Sequence, residues 1–271
     1  MTDLLGLSGQ NAIVVGAGRG SGRAMAVLFA KAGMAVAVVD QDRATAAETV
    51  GLVEAEGMRG LALEANAIDE ASLDRAVAAA RESLGPLRVG VNNVGNFGAH
   101  ASAPVLEQGW DFWQTAIDQN LRTCFNVSRT IARRMIEDRV PGALVFIASL
   151  AGLRGSPNLA PYGAVKAGVI QFTQTMALEL APHRIRVNCV GPTAIDGPML
   201  RERLSDESIA QRVASIPLGR IASPEDIGGA VLMLASDLAG FVTGQTVMCD
   251  GGVSCTSQRP SMKAGEARVR S

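Results

Sequence analysis

The sequence predicts an α/β fold: one doubly wound domain in which a parallel sheet of about seven strands carries helices on both faces. Three observations predict it. Short apolar, β-rich runs alternate with helical patterns along most of the chain. A glycine-rich turn joins the first such run to the first helix. Polar residues cluster where strands end, and in open α/β sheets that is where ligands are held.

Residues 11–15, N-A-I-V-V, make the first strand. The turn after it is Gly16-Ala17-Gly18-Arg19-Gly20-Ser21-Gly22, and an apolar helical pattern (Ala24, Val27, Leu28, Phe29) runs from it to Gly33. Glycines let backbone approach a ligand closely, and a helix N-terminus offers free N–H groups and a positive dipole end to a pyrophosphate. On its own, the spacing G-x-x-x-G-x-G also fits a plain tight turn. Residues 34–39 form a second strand ending at Asp40, with Gln41 next. An acidic residue about 20 positions past the glycines is placed to accept from ribose hydroxyls. A helix-capping Asp is the other reading, because a helix begins near Arg43.

The alternation continues with a helix over 43–56, a strand over 59–64, a helix over 69–84 and a strand over 87–92. Ala65 and Asn66 follow the third strand, and Asn92-Asn93-Val94-Gly95 ends the fourth. Residues 106–138 read as one or two helices containing Asn120, with Trp110 and Trp113 as packing residues. Strand 142–148 delivers Ser149 at its end. A helix over 160–180 follows, its apolar stripe formed by Val165, Val169, Phe172, Met176 and Leu180. After strand 184–190 comes a Gly/Pro-rich stretch, 191–198, read as irregular, then charged helical turns over 199–215. Ser223-Pro224-Glu225 opens a helix over 224–235, and the last strand lies near 245–249. Residues 1–255 make the domain; 256–271, basic and poor in apolar groups, read as a solvated tail.

Composition narrows the function classes. The chain has 271 residues, 48% of them hydrophobic, and a formal net charge of −1. A domain of this size buries about three quarters of its surface, so disulfides and structural metals are not needed. The charge leaves no electrostatic footprint for nucleic acid. No apolar run approaches the ~18 residues of a membrane span, and the N-terminus has neither the basic n-region nor the apolar core of a signal peptide. The four cysteines, Cys124, Cys189, Cys249 and Cys255, lack C-x-x-C spacing and read as reduced thiols of a cytoplasmic protein. His100 and His183 stand apart, so no metal site is expected.

The chemistry concentrates in Tyr162-Gly-Ala-Val-Lys166. Four residues apart on a helix, phenol and ammonium share a face, about 6 Å apart at Cβ. A free Tyr titrates near ~10, and a base working near pH ~7 needs roughly 4 kcal/mol of stabilisation of the phenolate from Lys166 and other nearby positive charge. An ordinary amphipathic helix also carries such pairs. The upstream Ser149 adds a hydroxyl to the set.

The ordered set G-A-G-R-G-S-G, Asp40, N-N-V-G, Asn120, Ser149 and Y-G-A-V-K resembles the short-chain dehydrogenase/reductase family in its single-domain branch. The likeness runs from about residue 7 to Gly252 and includes F-V-T-G-Q-T-V-M-C-D-G-G at 241–252. The resemblance implies a Rossmann-type sheet. It implies Tyr162 as general acid/base, and Lys166 lowering the phenol's pKa and binding the nicotinamide ribose. It further implies Ser149 holding the substrate oxygen and Asn120 keeping a water in a proton relay. Cofactor contacts carry over to Gly16, Gly18, Arg19, Gly20, Ser21, Gly22, Asp40, Gln41, Ala65, Asn66, Asn92, Asn93, Val94, Gly95, Tyr162, Lys166, Pro192, Thr193 and Ile195. Three positions depart from the pattern: Val15 stands for a usual Thr, Asn66 for a usual Asp, and Gly197 for the Thr of P-G-x-x-x-T.

The expectation is therefore an NAD-dependent enzyme interconverting a secondary alcohol and a ketone, its candidate pocket formed by Phe97, His100, Leu150, Arg154, Asn158, Leu159 and residues 194–204. A homotetramer is expected, paired through the Asn120 and Tyr162 helices by Phe125, Val127, Ile131, Val169, Phe172 and Met176. The rival readings are a non-catalytic dinucleotide-binding sensor or scaffold, an NADP-dependent carbonyl (3-oxoacyl-type) reductase, and a sugar-nucleotide epimerase. Arg19 favours NADP and Asp40 favours NAD.

Overall fold

The computed structural model describes residues 3–95 and 103–256. Phe97, His100 and all of the tail beyond Thr256 lie outside the described residues. The strands are β1 (Asn11–Val15), β2 (Ala35–Asp40), β3 (Gly60–Glu64), β4 (Val89–Asn92), β5 (Gly142–Ile147), β6 (Ile185–Pro192) and β7 (Thr246–Cys249). They form one sheet in the order β3-β2-β1-β4-β5-β6-β7, with every neighbouring pair parallel. The order reverses between β1 and β4, which is the switch point where such sheets open a crevice.

Strand alternation divides the core. Ile13, Val15, Ala37 and Val39 face one side, with Leu73 and Val77 of α3 (Glu70–Leu84), Val127 and Ile131 of α5 (Thr123–Glu137), and Val169 of α6 (Ala160–Leu180). Ala12, Val14, Val36 and Val38 face the other, with Met25 and Phe29 of α1 (Gly20–Lys31), Val53 of α2 (Arg43–Ala55), and Ile227 and Val231 of α9 (Pro224–Ala235). Period-2 strands between two helical layers bury both faces, so these runs are almost continuously apolar. The helix starts obey local chemistry: Asp42 and Asp69 cap α2 and α3, and Ser223 with Asp226 forms a capping box on α9.

Four differences from the sequence expectations stand out. The stretch read as irregular from 191 is regular at both ends. β6 continues through Gly191 and Pro192, opposite Met248 and Cys249. Pro198 then starts α7 (Pro198–Arg203), and α8 (Asp206–Ser215) follows. The two helices read within 106–138 form as α4 (Trp110–Ala116) and α5, but a π-helical turn (Ile117–Arg122) that was not foreseen joins them. Trp110 is mostly exposed and stacks on Trp113 at 6.4 Å rather than packing into the core. Val127, Ile131 and Val169, expected at a subunit interface, are buried inside the chain's own core. Among the described residues, no helix is long and apolar enough to cross a membrane.

Candidate active site

Two loops meet at the switch point. Gly16 and Ala17 donate to Val39 O at 2.8 and 3.1 Å, folding the glycine turn over the tip of β2. Asn93 spans the gap from β4: its Nδ2 donates to Gly16 O at 2.8 Å, and its Oδ1 accepts from Ser21 Oγ at 2.9 Å. Gly22 lets α1 sit against the turn, since a Cβ there would lie 2.1 Å from Gly16 O. No side chain caps α1 and its first turn holds no acidic residue, so its N–H groups and positive dipole end are left for an anion. Asp40 closes the rim, its Oδ2 accepting from Gly18 N–H at 2.8 Å and its Oδ1 from Asp42 N–H at 3.2 Å. Arg19 turns to Asp42, at 3.8 Å, with both side chains substantially exposed. Ala65 is buried beside Asp40, donating to its carbonyl at 2.9 Å, while Gln41 and Asn66 are exposed. A close backbone cradle, a bare helix N-terminus and a carboxylate on the rim fit a dinucleotide.

The second half of the site lies beyond β4 and β5. Asn92 is buried, and its Oδ1 accepts from Val94 N–H at 3.2 Å, which carries Gly95 to Asn120 and Lys166. A Cβ added at Gly95 would lie 2.7 Å from Asn120 Oδ1 and 2.8 Å from Lys166 Nζ, so backbone, amide and ammonium converge there. Lys166 is buried, and its Nζ donates to Ile147 O at 2.8 Å. It lies 5.6 Å from the centre of the Tyr162 ring. Ser149 Oγ accepts from Ala151 N–H at 3.2 Å and hydrogen-bonds the Tyr162 hydroxyl.

The π turn explains how Asn120 is aimed. Widening a helix by one residue frees carbonyls from the i→i−4 ladder. Here side chains take them: Asn120 Nδ2 donates to Ala116 O at 2.9 Å, and Thr123 Oγ1 lies 3.1 Å from Gln119 O and 3.2 Å from Asn120 O. With its amide N–H so engaged, Asn120 presents Oδ1 towards Gly95 and Lys166.

Burial sets the electrostatics. It pushes the Tyr162 phenol above its ordinary 10.0, and the Ser149 hydrogen bond offsets only part of that. Burial also lowers Lys166 to about 8, with the thiols of Cys124 and Cys189 nearby, and raises Cys124 to about 12. The sequence reading expected Lys166 to lower the phenol's pKa. In this pocket both groups are instead driven towards neutrality, because low-dielectric surroundings penalise either charge. The arrangement can hold an oxygen between a hydroxyl and a phenol, with an amine and an amide behind.

Residues 16–254 match a family model described as enoyl-(acyl carrier protein) reductase, of the short-chain alcohol dehydrogenase type. The chain is 35% identical over 250 residues to 3beta-hydroxysteroid dehydrogenase 1 of Eggerthella lenta, covering 92% of this chain and 95% of that one. The chain belongs to the short-chain dehydrogenase/reductase family. A 3-oxoacyl-[acyl-carrier-protein] reductase of Synechocystis is 36% identical over 249 residues, covering 91% and 98% of the two chains. Among solved structures, a 7 alpha-hydroxysteroid dehydrogenase complexed with NADH and 7-oxo glycochenodeoxycholic acid superposes with a TM-score of 0.86 at 30% identity, covering 96% of this chain and 98% of that one. The sheet and its helical layers are those of this family, and the protein is an oxidoreductase.

Against the family pattern, Val15 is buried at the tip of β1. Asn66 uses its Oδ1 to accept from Ile68 N–H at 3.0 Å; a carbonyl oxygen can accept a second bond. Past Pro192 and Thr193, Ile195 bridges to Ala222 and Gly197 precedes α7. Sequence reasoning missed the brace beneath the glycine turn. Arg23 donates to Gly18 O at 2.6 Å and to Glu48 at 2.7 Å, and buried Thr49 donates to Ala17 O at 2.9 Å. Position 23 immediately after the last glycine was the available signal, but its partners lie on another helix. Arg154, expected in the pocket wall, donates its guanidinium to backbone carbonyls of residues 253, 254 and 256. Among the described residues no cluster of His, Cys, Asp and Glu could hold a metal.

Proposed function

We propose that the protein is an NAD-dependent oxidoreductase interconverting a secondary alcohol and a ketone, with Tyr162 as general acid/base. The convergence of Ser149, Tyr162, Lys166 and Asn120 behind the glycine cradle carries the reading. Ser149 and Tyr162 hold the substrate oxygen. In oxidation Tyr162 takes the hydroxyl proton; in reduction it returns one. Lys166 and Asn120 stand behind the phenol to replace or remove that proton. The nicotinamide, when bound, accepts or gives the hydride. Gly16 to Gly22, Asn93 and α1 would hold the pyrophosphate, Asp40 the adenosine ribose, Asn92, Gly95 and Lys166 the nicotinamide half, and Pro192, Thr193 and Ile195 its carboxamide. A spectrophotometric panel of secondary alcohols and ketones with NAD and NADP tests this, and no turnover across the panel would favour a non-catalytic dinucleotide binder. Likeness to the Synechocystis reductase supports a second reading, an NADP-dependent 3-oxoacyl reductase, which the same panel separates.

Cofactor choice rests on Asp40. A 2′-phosphate beside its carboxylate would meet a like charge at about 4 Å, roughly 4 kcal/mol of repulsion at an effective dielectric of ~20. Arg19 is an exposed partner of Asp42, and such a pair contributes about 1 kcal/mol or less. NAD is therefore expected to be preferred by at least about tenfold in kcat/KM, and Asp40→Ala to narrow that margin, because the repulsive group enforces it. Equal or better rates with NADP in the unmodified protein would show that Arg19 outweighs Asp40.

The same reading includes a cytoplasmic setting and a homotetramer paired through α5 and α6. With Val127, Ile131 and Val169 inside the core, support for that pairing reduces to half-exposed Phe125 against Phe172, at 6.3 Å, and to exposed Ala164 and Ala167, which allow close helix approach. Light scattering at micromolar concentration checks it; a monomeric mass would sink the pairing.

A further inference from the structure

The loop 150–159 joins Ser149 to the helix bearing Tyr162, so it lies between the two groups proposed to hold the substrate oxygen. Its outer part is exposed from Leu153 to Gly155 and again at Pro157 and Asn158, with little apolar burial to hold it. It is tied down at a distance. Arg154 Nη1 donates to Val253 O at 2.9 Å and Thr256 O at 3.2 Å, and Nη2 donates to Ser254 O. Those carbonyls belong to a turn built from its own side chain and backbone: the Asp250 carboxylate accepts from Gly252 N–H at 2.9 Å and from Ser254 N–H at 2.6 Å. Gly251 O accepts from Leu218 N–H at 3.1 Å, which fastens the turn to the segment that leaves α8. A planar guanidinium presents several N–H groups in a fixed fork and suits converging carbonyls; an ammonium is a single point charge.

We infer that Arg154 is a positioning residue for substrate: it bolts the Ser149–Tyr162 loop to the C-terminal turn at 250–256 and, through Leu218, to the base of α8. The inference rests on the alcohol/ketone reading for the substrate's presence, but the bolt itself is independent of it. Arg154 acts on the wall against which the non-reacting end of the substrate lies. None of these bonds involves the glycine turn at 16–22.

The test uses the full chain with Arg154→Ala and Arg154→Lys, read by amide hydrogen exchange and by steady-state kinetics. In Arg154→Ala, exchange is expected to rise at least about tenfold at 150–156 and at 252–256 and to stay unchanged in the sheet. KM for the alcohol or ketone is expected to rise about tenfold while KM for NAD and kcat stay within about twofold, the signature of lost ground-state positioning. Arg154→Lys is expected to recover part of the protection, since one ammonium cannot span the same set of carbonyls. Unchanged exchange at both segments in Arg154→Ala overturns the bolt, whatever the enzyme turns over. Raised exchange with KM values for substrate and cofactor moving together, or with kcat falling instead, overturns the positioning role. If the unmodified protein turns over nothing in the panel, the functional reading fails, and the exchange result still decides the bolt.

Discussion

Tyr162→Phe lowers turnover by at least about a hundredfold, the low end for loss of a general acid/base, while the fold and NAD affinity stay close to those of the unmodified protein. The ring of Phe keeps the volume and the face that Lys166 approaches at 5.6 Å, and the hydroxyl with its bond to Ser149 is removed. Rapid-mixing and steady-state rates measure the effect, and a variant that keeps its rate removes Tyr162 from the chemistry. Because Tyr162 is the sole tyrosine, phenolate absorbance reports it alone. Burial holds the phenol neutral, so the phenolate should appear only as pH passes above the ordinary 10.0.

Gly22→Ala is expected to weaken NAD binding by at least about a hundredfold and to lower Tm, because overpacking of a rigid contact costs roughly 1–3 kcal/mol or more. The new methyl would meet Gly16 O at 2.1 Å and the Ala17 Cα at 2.8 Å. Both are backbone atoms in the turn itself, so no flexible side chain can yield. Either α1 retreats or the turn opens, and each displaces the N–H groups left for the pyrophosphate. Calorimetric titration with NAD measures it; unchanged affinity would mean that the cofactor is held elsewhere.

Where local pattern decides structure, the sequence was readable. Helix 160–180 follows from its stripe, and Ser223-Pro224-Glu225 announces α9. The glycine turn, Asp40 and Asn93 come together because parallel strands place their ends on one edge. What was not readable depended on partners distant in sequence. Arg23 and Arg154 look like any exposed arginine until Thr49 and the carbonyls at 253–256 are brought to them. Periodicity showed that Val127, Ile131 and Val169 face something apolar, but not that this was their own sheet rather than another subunit. Spacing put Tyr162 and Lys166 on one face, but the depth of the pocket, which drives both towards neutrality, has no local signature.

The π turn at Ile117–Arg122 separates two things that a continuous helix would bind together. Each residue of an α-helix advances the chain by about 100°, and a π turn absorbs one surplus residue while the helices on either side keep their phase. The apolar side of α5 that packs on the sheet is therefore indifferent to that surplus, and the side chains of Asn120 and Thr123 use the carbonyls it frees. Deleting one residue here is expected to straighten the helix while leaving the phase of α5 as it is, and to carry the Asn120 amide away from Lys166.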